Sequence, residues 1–222
     1  MSVSHTPAAM AAAAKPTRVR FGIMVLLFIT VVINYLDRSN LSIAAPAMAG
    51  ELGIDPAEMG LVLSAFGWTY AICQIPGGWF VDKVSPRILY PSLIVLWSIA
   101  TVMLGFAYSV PALIALRLAI GAMEAPSYPI NNRVVTAWFP EGERATAIGF
   151  YTSGQFVGLA FLTPVLIWIQ TEIGWHMVFV ATGGVGIAWG LAWYVLYREP
   201  REHRSANPAE IELIPVSYTH LR

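Results

Sequence analysis

The chain has little cysteine and little charge. Its single cysteine among 222 residues, Cys73, excludes an intramolecular disulfide and a cysteine-based metal cluster. Charged residues make up 12% of the sequence, about half of the ~25% that is typical of soluble domains. Their formal net charge is zero and the basic residues are scattered, so nucleic-acid binding is not indicated. The sequence also lacks a cysteine–histidine, nucleotide-binding or metal-ligand constellation, so we expect neither an enzyme nor a bound cofactor or metal.

Long apolar stretches dominate the sequence instead. Hydrophobic residues account for 57% of it, and the mean hydropathy is +0.63. A transmembrane helix needs ~20 mostly apolar residues, and six segments joined by short polar connectors meet this requirement. We therefore predict an all-α membrane protein with a tail at residues 1–20 and a six-helix bundle at 21–197, lying in a lipid bilayer. The six predicted helices are residues 21–49, 58–81, 88–107, 111–137, 144–170 and 175–197.

The basic residues predict the orientation of this bundle. Lys and Arg occur before the first helix, in alternate connectors and after the sixth helix, whereas the other three connectors contain none. Basic residues concentrate in cytoplasmic loops, so both termini are predicted to be cytoplasmic. The basic residues concerned are Lys15, Arg18, Arg20, Lys83, Arg87, Arg133, Arg144, Arg198, Arg201 and Arg204.

Four ionisable residues interrupt the apolar helices. Asp37 and Arg38 lie in the first predicted helix, and Arg117 and Glu124 lie in the fourth. A charge in hydrocarbon costs several kcal/mol and is kept only where it faces a partner, a cavity or a transport path. At ~1.5 Å per residue both acids lie ~20–24 Å into their helices, near the bilayer midplane, where secondary transporters bind substrate and coupling ion. The pattern predicts a site that binds an anion and moves a proton.

The residue types fit this division of roles. Arg38 carries a planar fork suited to a carboxylate, so it is the predicted carboxylate clamp of the substrate. Burial and a neighbouring arginine act in opposite directions on the protonation of Asp37, which suits an acid that loads and releases a proton. The alternative interpretation is a pair of structural ion pairs that lock the first and fourth helices.

One connector carries a recognisable motif. The segment GGWFVDKVSPR resembles the signature loop of the major facilitator superfamily, here as Gly78, Asp82, Lys83 and Arg87. The resemblance implies a cytoplasmic latch that breaks and reforms as the transporter changes conformation, whereas a plain turn with solvated charges is the alternative. Lys83 and residues 84–86 depart from the commonest Asp-Arg-x-Gly-Arg form, which affects the detailed geometry of the loop.

Further segments narrow the resemblance. Arg117-x-x-x-Gly121 is similar to a second motif of the superfamily, and four more segments are similar to its anion:cation symporters, especially the bacterial D-galactonate, glucarate and hexuronate carriers. This resemblance implies proton-coupled symport of a sugar acid such as D-galactonate across the bacterial inner membrane. The four segments are NYLDR, YAICQIPGGWFVDK, EAPSYPINNRVVTAWFP and GFYTSGQFVGLAFLTP.

The resemblance also implies site residues. Asp37 and Glu124 would be the protonation sites, with Arg117 as their internal partner. Tyr35, Tyr70 and Gln155 match positions that contact a polyhydroxylated substrate, and interhelical packing is the alternative role for each. Predicted neighbours of the site are Asn34, Asn131 and Asn132.

Six helices are half of a major facilitator, whose fold has twelve. The resemblance implies an N-terminal six-helix bundle of two inverted three-helix repeats, followed by a linker and a C-terminal six-helix bundle. Residues 198–214 look like the start of that linker. Residues 215–222 depart from it, so we expect a truncated or non-native tail there. The alternative is a non-transporting or dimerising half-size membrane fragment.

Overall fold

The computed structural model describes residues 15–214, and every regular element in this range is helical, which confirms the predicted all-α fold. Six helical spans are long and apolar enough to cross a membrane, and their ends lie within three residues of the predicted ones. Helices α4 and α5 form the fourth span; α6, a π-helical turn (Gly158–Leu162) and α7 form the fifth. Residues 1–14 of the predicted tail at 1–20 and the predicted truncated or non-native residues 215–222 lie outside the described range. The helices are α1 Val19–Leu52, α2 Pro56–Lys83, α3 Pro86–Leu104, α4 Val110–Glu124, α5 Ser127–Trp138, α6 Glu141–Val157, α7 Thr163–Glu172, α8 Trp175–Leu196 and α9 Pro208–Leu213, with a 3₁₀ turn at Pro200–Glu202.

Local sequence signals set the helix boundaries. Helix α1 ends at Gly53, whose φ of 66° is a left-handed conformation that glycine adopts without strain. Asp55 begins α2 with a capping box: its side chain accepts hydrogen bonds from the N–H groups of Ala57 and Glu58, and the Glu58 carboxylate accepts from Asp55 N–H in return. These caps produce short, well-defined connections between long spans.

The packing of the six spans has an internal symmetry. Span 3 packs most extensively on span 6, span 2 on span 4 and span 1 on span 5; contacts between spans 3 and 4 and between spans 1 and 6 come next. Exchanging spans 1, 2 and 3 with spans 4, 5 and 6 leaves this pattern unchanged. Two related three-helix units therefore build the bundle, as inverted repeats do in transporters.

Glycines allow the closest helix approaches. A Cβ on Gly183 of α8 would lie 2.6 Å from the carbonyl oxygen of Ser98 on α3. A Cβ on Gly121 of α4 would collide with the carbonyl oxygen of Phe66 on α2. Backbones come this close only where a residue has no side chain, as in many membrane helix pairs.

Span 4 is broken beside one of its buried acids. Helix α4 ends at Glu124, and α5 begins at Ser127 after Ala125 and Pro126. Proline has no N–H to donate, so it interrupts the helical ladder. The break places this acid at a helix end.

Residues 198–214 fold back onto the bundle, so that residues 15 and 214 lie at one end of it, which we call the terminal end. Glu210 of α9 is fully buried at the start of α1, where its carboxylate accepts hydrogen bonds from the N–H groups of Val19 (3.2 Å) and Arg20 (3.1 Å) and from the Thr17 hydroxyl (2.5 Å). An acid at this position satisfies unpaired N–H groups and complements the helix dipole.

Two further contacts complete this arrangement. Arg20 pairs with Glu210 (3.3 Å) and, through both Nε (2.8 Å) and Nη2 (3.2 Å), with Glu143 at the start of α6. Asn207, which caps α9, exchanges hydrogen bonds with Thr17. We call Thr17, Arg20, Glu143, Asn207 and Glu210 the terminal cluster. It ties the segment after span 6 to spans 1 and 5.

Candidate functional site

Two of the four predicted intramembrane charges form an ion pair. Arg38 Nε donates to Glu124 Oε1 at 2.6 Å, and Asn34 Nδ2 donates to the same oxygen at 3.2 Å. The Glu124 side chain is fully buried, whereas 23% of the Arg38 side chain is exposed. The pair links α1 to the broken end of α4, and Asn34, a predicted neighbour of the site, contacts its acid.

The Arg38–Glu124 pair leaves one nitrogen of the guanidinium and one oxygen of the carboxylate without a hydrogen bond. Arg38 Nη2 and Glu124 Oε2 are buried without a hydrogen-bond partner in the described residues 15–214. The Arg20–Glu143 pair, in contrast, joins Nε and Nη2 of its arginine to the two oxygens of one carboxylate. Of the two nitrogens along this edge of the Arg38 guanidinium, Nε and Nη2, only Nε therefore donates a hydrogen bond to these residues.

Aromatic rings surround the Arg38 guanidinium. Its central carbon lies 4.7 Å from the ring centroid of Tyr70, 5.1 Å from that of Tyr35 and 5.3 Å from that of Phe66. The Tyr35 hydroxyl is 3.4 Å from the hydroxyl of Tyr128 on α5. The structure thus brings together three of the four predicted substrate-binding residues, and phenol groups beside a cation suit a hydroxylated anion.

Arg117 does not make the predicted contact with the acids. Among residues 15–214 it forms no ion pair with Asp37 or Glu124, and the partner of Glu124 is Arg38. Its guanidinium carbon lies 4.9 Å from the Phe66 ring centroid, and its buried Nε has no partner in that range. Arg117 is two turns from Glu124 along the same helix, about 10 Å, whereas Arg38 faces this acid from the adjoining span.

Asp37 occupies different surroundings from Glu124. Its side chain is directed to α3, where Trp97 Nε1 donates to Oδ2 at 3.1 Å. Asp37 is 3% exposed, and its Oδ1 has no hydrogen-bond partner within the described range. Successive residues of a helix differ in direction by about 100°, so Asp37 and Arg38 face different neighbours. One predicted proton site thus has a cationic partner, and the other has an indole.

Gln155 is not brought into this cluster. It is half-buried on α6, and its side chain takes part in none of the hydrogen bonds of residues 15–214. Its predicted role in substrate binding stays a prediction.

The loop-motif residues lie at the terminal end. Asp82 and Lys83 are exposed, and the Lys83 ammonium lies 3.8 Å from the ring centroid of Trp79. Half-buried Arg87 faces the ring of Tyr194 at 5.2 Å. Gly78 is half-buried, with open space where a Cβ would stand. Their predicted role as a moving latch stays a prediction.

A basic residue outside the predicted motif reaches this loop. Arg133 of α5 donates to the carbonyl oxygens of Val81 and Val84, at 2.9 Å for the latter, and so satisfies acceptors at the end of α2. This contact fastens the loop between spans 2 and 3 to span 4.

The sequence analysis also missed Phe66 and Trp97. Phe66 precedes Tyr70 by one helical turn, so shared helix-face spacing was an available signal. Trp97 had no such signal, because only the packing of α3 on α1 brings its indole to Asp37. The described residues contain no group of three or more His, Cys, Asp or Glu side chains suited to hold a metal ion.

Comparison with known proteins gives consistent matches. The family model described as Major Facilitator Superfamily matches residues 27–221. The chain is 56% identical over 202 residues to a D-galactonate transporter of Escherichia coli O6:H1, covering 91% of this chain and 47% of that protein. It is 42% identical over 206 residues to the probable galactarate/D-glucarate transporter GudP of Escherichia coli strain K12, covering 90% of this chain and 46% of that protein.

Solved structures agree with these matches. The fold is similar to a bacterial homolog of the human lysosomal transporter Spinster in its inward-facing, unoccupied conformation, with a TM-score of 0.71 and 28% identity, covering 81% of this chain and 43% of that chain. The chain spans about half the length of the relatives that it matches.

Proposed function

This chain belongs to the Major Facilitator Superfamily, and from that premise we propose that the complete protein containing it moves a sugar acid, such as D-galactonate, together with protons across the bacterial inner membrane. The chain is part of a multi-pass membrane transporter and not of an enzyme, since the superfamily and the matched relatives are transporters. The names of these relatives support a sugar-acid substrate.

The half-used edge of Arg38 is the observation that carries the proposed mechanism. A carboxylate that binds both Nε and Nη2, as Glu143 binds Arg20, has to take the Nε position that Glu124 occupies. Substrate and the ionised form of Glu124 therefore compete for one cation. A proton on Glu124 weakens its hold on Arg38 and frees the edge for the anion. Binding of the proton and binding of the anion then favour one another, as symport requires.

Asp37 supplies the second proposed proton site. It is buried, faces a different neighbour of α1 from Arg38, and has no cationic contact within hydrogen-bonding distance among residues 15–214. A charge in such a place is expensive unless it is neutralised. We assign it to the proton pathway, with its charge carried only during part of the cycle.

The remaining site residues are assigned by position. Tyr35 and Tyr70 flank Arg38, so their hydroxyls face an anion held there and can bond to its hydroxyl groups. Gln155 is assigned as a substrate contact, and Arg117 as a second cation near the anion. A C-terminal six-helix bundle would form the other wall of the site. Both termini and the loop that contains Asp82 are assigned to the cytoplasmic side.

Uptake by proteoliposomes tests the proposed function. The complete protein should accumulate radiolabelled D-galactonate when the external side is acidic, and a proton ionophore should abolish the accumulation. The Arg38→Lys variant should lose most uptake, because a point charge cannot reproduce the planar fork. Arg18→Lys, an exposed position at the terminal end, is the matched control and should transport normally. Uptake that does not depend on the proton gradient would contradict symport.

A further inference from the structure

Phe66 lies between buried Arg117 and half-buried Arg38. The central carbon of the Arg117 guanidinium is 4.9 Å from its ring centroid, and that of Arg38 is 5.3 Å away. The ring also stacks on Tyr70, with centroids 5.3 Å apart and planes 21° from parallel. One aromatic side chain on α2 thus contacts a cation from α1 and a cation from α4.

The crossing of α2 and α4 fixes the position of this ring. The Thr69 hydroxyl donates to the Leu118 carbonyl oxygen at 2.7 Å, and the carbonyl oxygen of Phe66 fills the space where Gly121 has no Cβ. Gly121 and Arg117 are one turn apart on α4, so the backbone contact and the ring contact share a helix face. The backbone of Phe66, from which the ring projects, is therefore held by helix packing that does not involve the arginine side chains.

Two cations close to one ring repel each other, and neighbouring groups have to compensate for this repulsion. Arg38 has one carboxylate partner, and Arg117 has no ion-pair partner within residues 15–214. The face of an aromatic ring is electronegative and attracts a guanidinium more strongly where water is excluded. The Phe66 ring provides such a face to both groups without presenting a charge that would compete with an incoming anion.

We propose that Phe66 is a positioning residue of the anion site: it holds Arg38 and Arg117 together so that both cations face the substrate carboxylate. This inference rests on the proposed function. It assigns Arg117 a part in anion binding through a shared ring, in place of an ion pair with the acids. Replacing the ring by an aliphatic side chain should weaken anion binding and leave the conformational cycle intact.

Transport kinetics of the complete protein test the proposal with five variants. Phe66→Leu removes the ring face and should raise the KM for D-galactonate about tenfold with Vmax changed less than about twofold, since loss of a desolvated cation–π contact weakens binding by about one power of ten. Phe66→Tyr keeps the aromatic face, so its KM should stay within about twofold of the wild-type value.

Phe28→Leu is the matched control: this phenylalanine also places its carbonyl oxygen against a glycine, Gly154, but its ring faces Phe150 and not a guanidinium. Arg117→Leu should raise KM by a similar factor and leave Vmax nearly unchanged. The Phe66→Leu/Arg117→Leu double variant should raise KM by less than the product of the two single-variant factors.

A second measurement does not depend on transport. Phenylglyoxal modifies accessible arginines, and peptide mass spectrometry reports the rate at each site. Phe66→Leu should increase the modification rates of Arg38 and Arg117 several-fold, whereas Phe28→Leu should leave both unchanged. If the wild type took up no D-galactonate, the proposed function would be contradicted. The modification rates would still show whether Phe66 holds the two arginines in place. Equal rates in Phe66→Leu and wild type, or a KM in Phe66→Leu like that of Phe28→Leu, would overturn the inference.

Discussion

Asp37 and Glu124 are both buried near the predicted midplane, yet their contacts separate them. Glu124 meets Arg38 and Asn34, whereas Asp37 meets the indole of Trp97. In the proposed mechanism, neutralising Glu124 frees Arg38 for the substrate. Neutralising Asp37 leaves the arginine pair as it is. Replacing either acid by its amide should therefore uncouple transport from the proton gradient without abolishing anion binding.

Glu124→Gln should retain exchange of D-galactonate across the membrane but lose accumulation driven by a proton gradient, because its amide mimics the protonated acid. Asp37→Asn should also lose accumulation while retaining the affinity for the anion. Glu172→Gln, at an exposed position on α7, is the control and should accumulate normally. Counterflow and gradient-driven uptake in proteoliposomes measure the two properties separately. Accumulation at the wild-type level in both site variants would mean that the coupling proton takes another route.

At this scale the sequence located the charged residues within the spans but did not predict which of them form a pair. The rarity of charge in apolar helices identified Asp37, Arg38, Arg117 and Glu124 directly. The pairing of Glu124 with Arg38 depends on how α1 and α4 are rotated and how closely they pack. Spacing along one helix contains no information about that rotation, so Arg117 was assigned the contact that Arg38 makes.

Among the helical elements, α9 carries an unexpected structural role. Its Glu210 is fully buried at the start of α1 and pairs with Arg20, which in turn pairs with Glu143 of α6. The terminal cluster thus joins spans 1 and 5 to the segment that follows span 6. Within the described residues, the chain therefore returns to the start of span 1 after it leaves span 6.

Glu210→Gln should destabilise the bundle by about 1–3 kcal/mol, because an amide cannot accept two N–H groups and balance a buried guanidinium as a carboxylate does. Glu212→Gln on the same short helix is exposed and should have no measurable effect. Thermal unfolding of the detergent-purified protein gives the stability, and hydrogen exchange at residues 17–21 gives the local effect. Unchanged exchange at these residues in Glu210→Gln would mean that the carboxylate does not hold the start of α1.

The elements themselves were largely predictable. The length of the apolar segments predicted all six spans. The π-helical turn at Gly158–Leu162 was not predicted, because it adapts span 5 to the backbone of α1 at Val32, a tertiary contact without a local signal. The docking of α9 was missed for the same reason.

For the whole molecule, the exchange symmetry of the packing agrees with the twofold organisation expected of the superfamily's bundles. Many large apolar side chains remain exposed along the spans, for example Ile72 at 72% and Ile75 at 86%. Such surfaces suit contact with lipid or with another helical bundle. The partly exposed side of Arg38, with the phenols of Tyr35 and Tyr70 around it, places the proposed anion site where a second wall can close over it.

Competition between Glu124 and the substrate for Arg38 is the central claim, and its most direct test is the pH dependence of anion affinity. Titration calorimetry of D-galactonate into the purified complete protein should give a Kd that rises with pH, by up to about tenfold per pH unit, because each anion then binds together with a proton. Glu124→Gln should bind with a Kd that changes much less over the same pH range. A pH-independent Kd in the wild type, or the same pH dependence in Glu124→Gln, would contradict the exchange of Glu124 for substrate on Arg38.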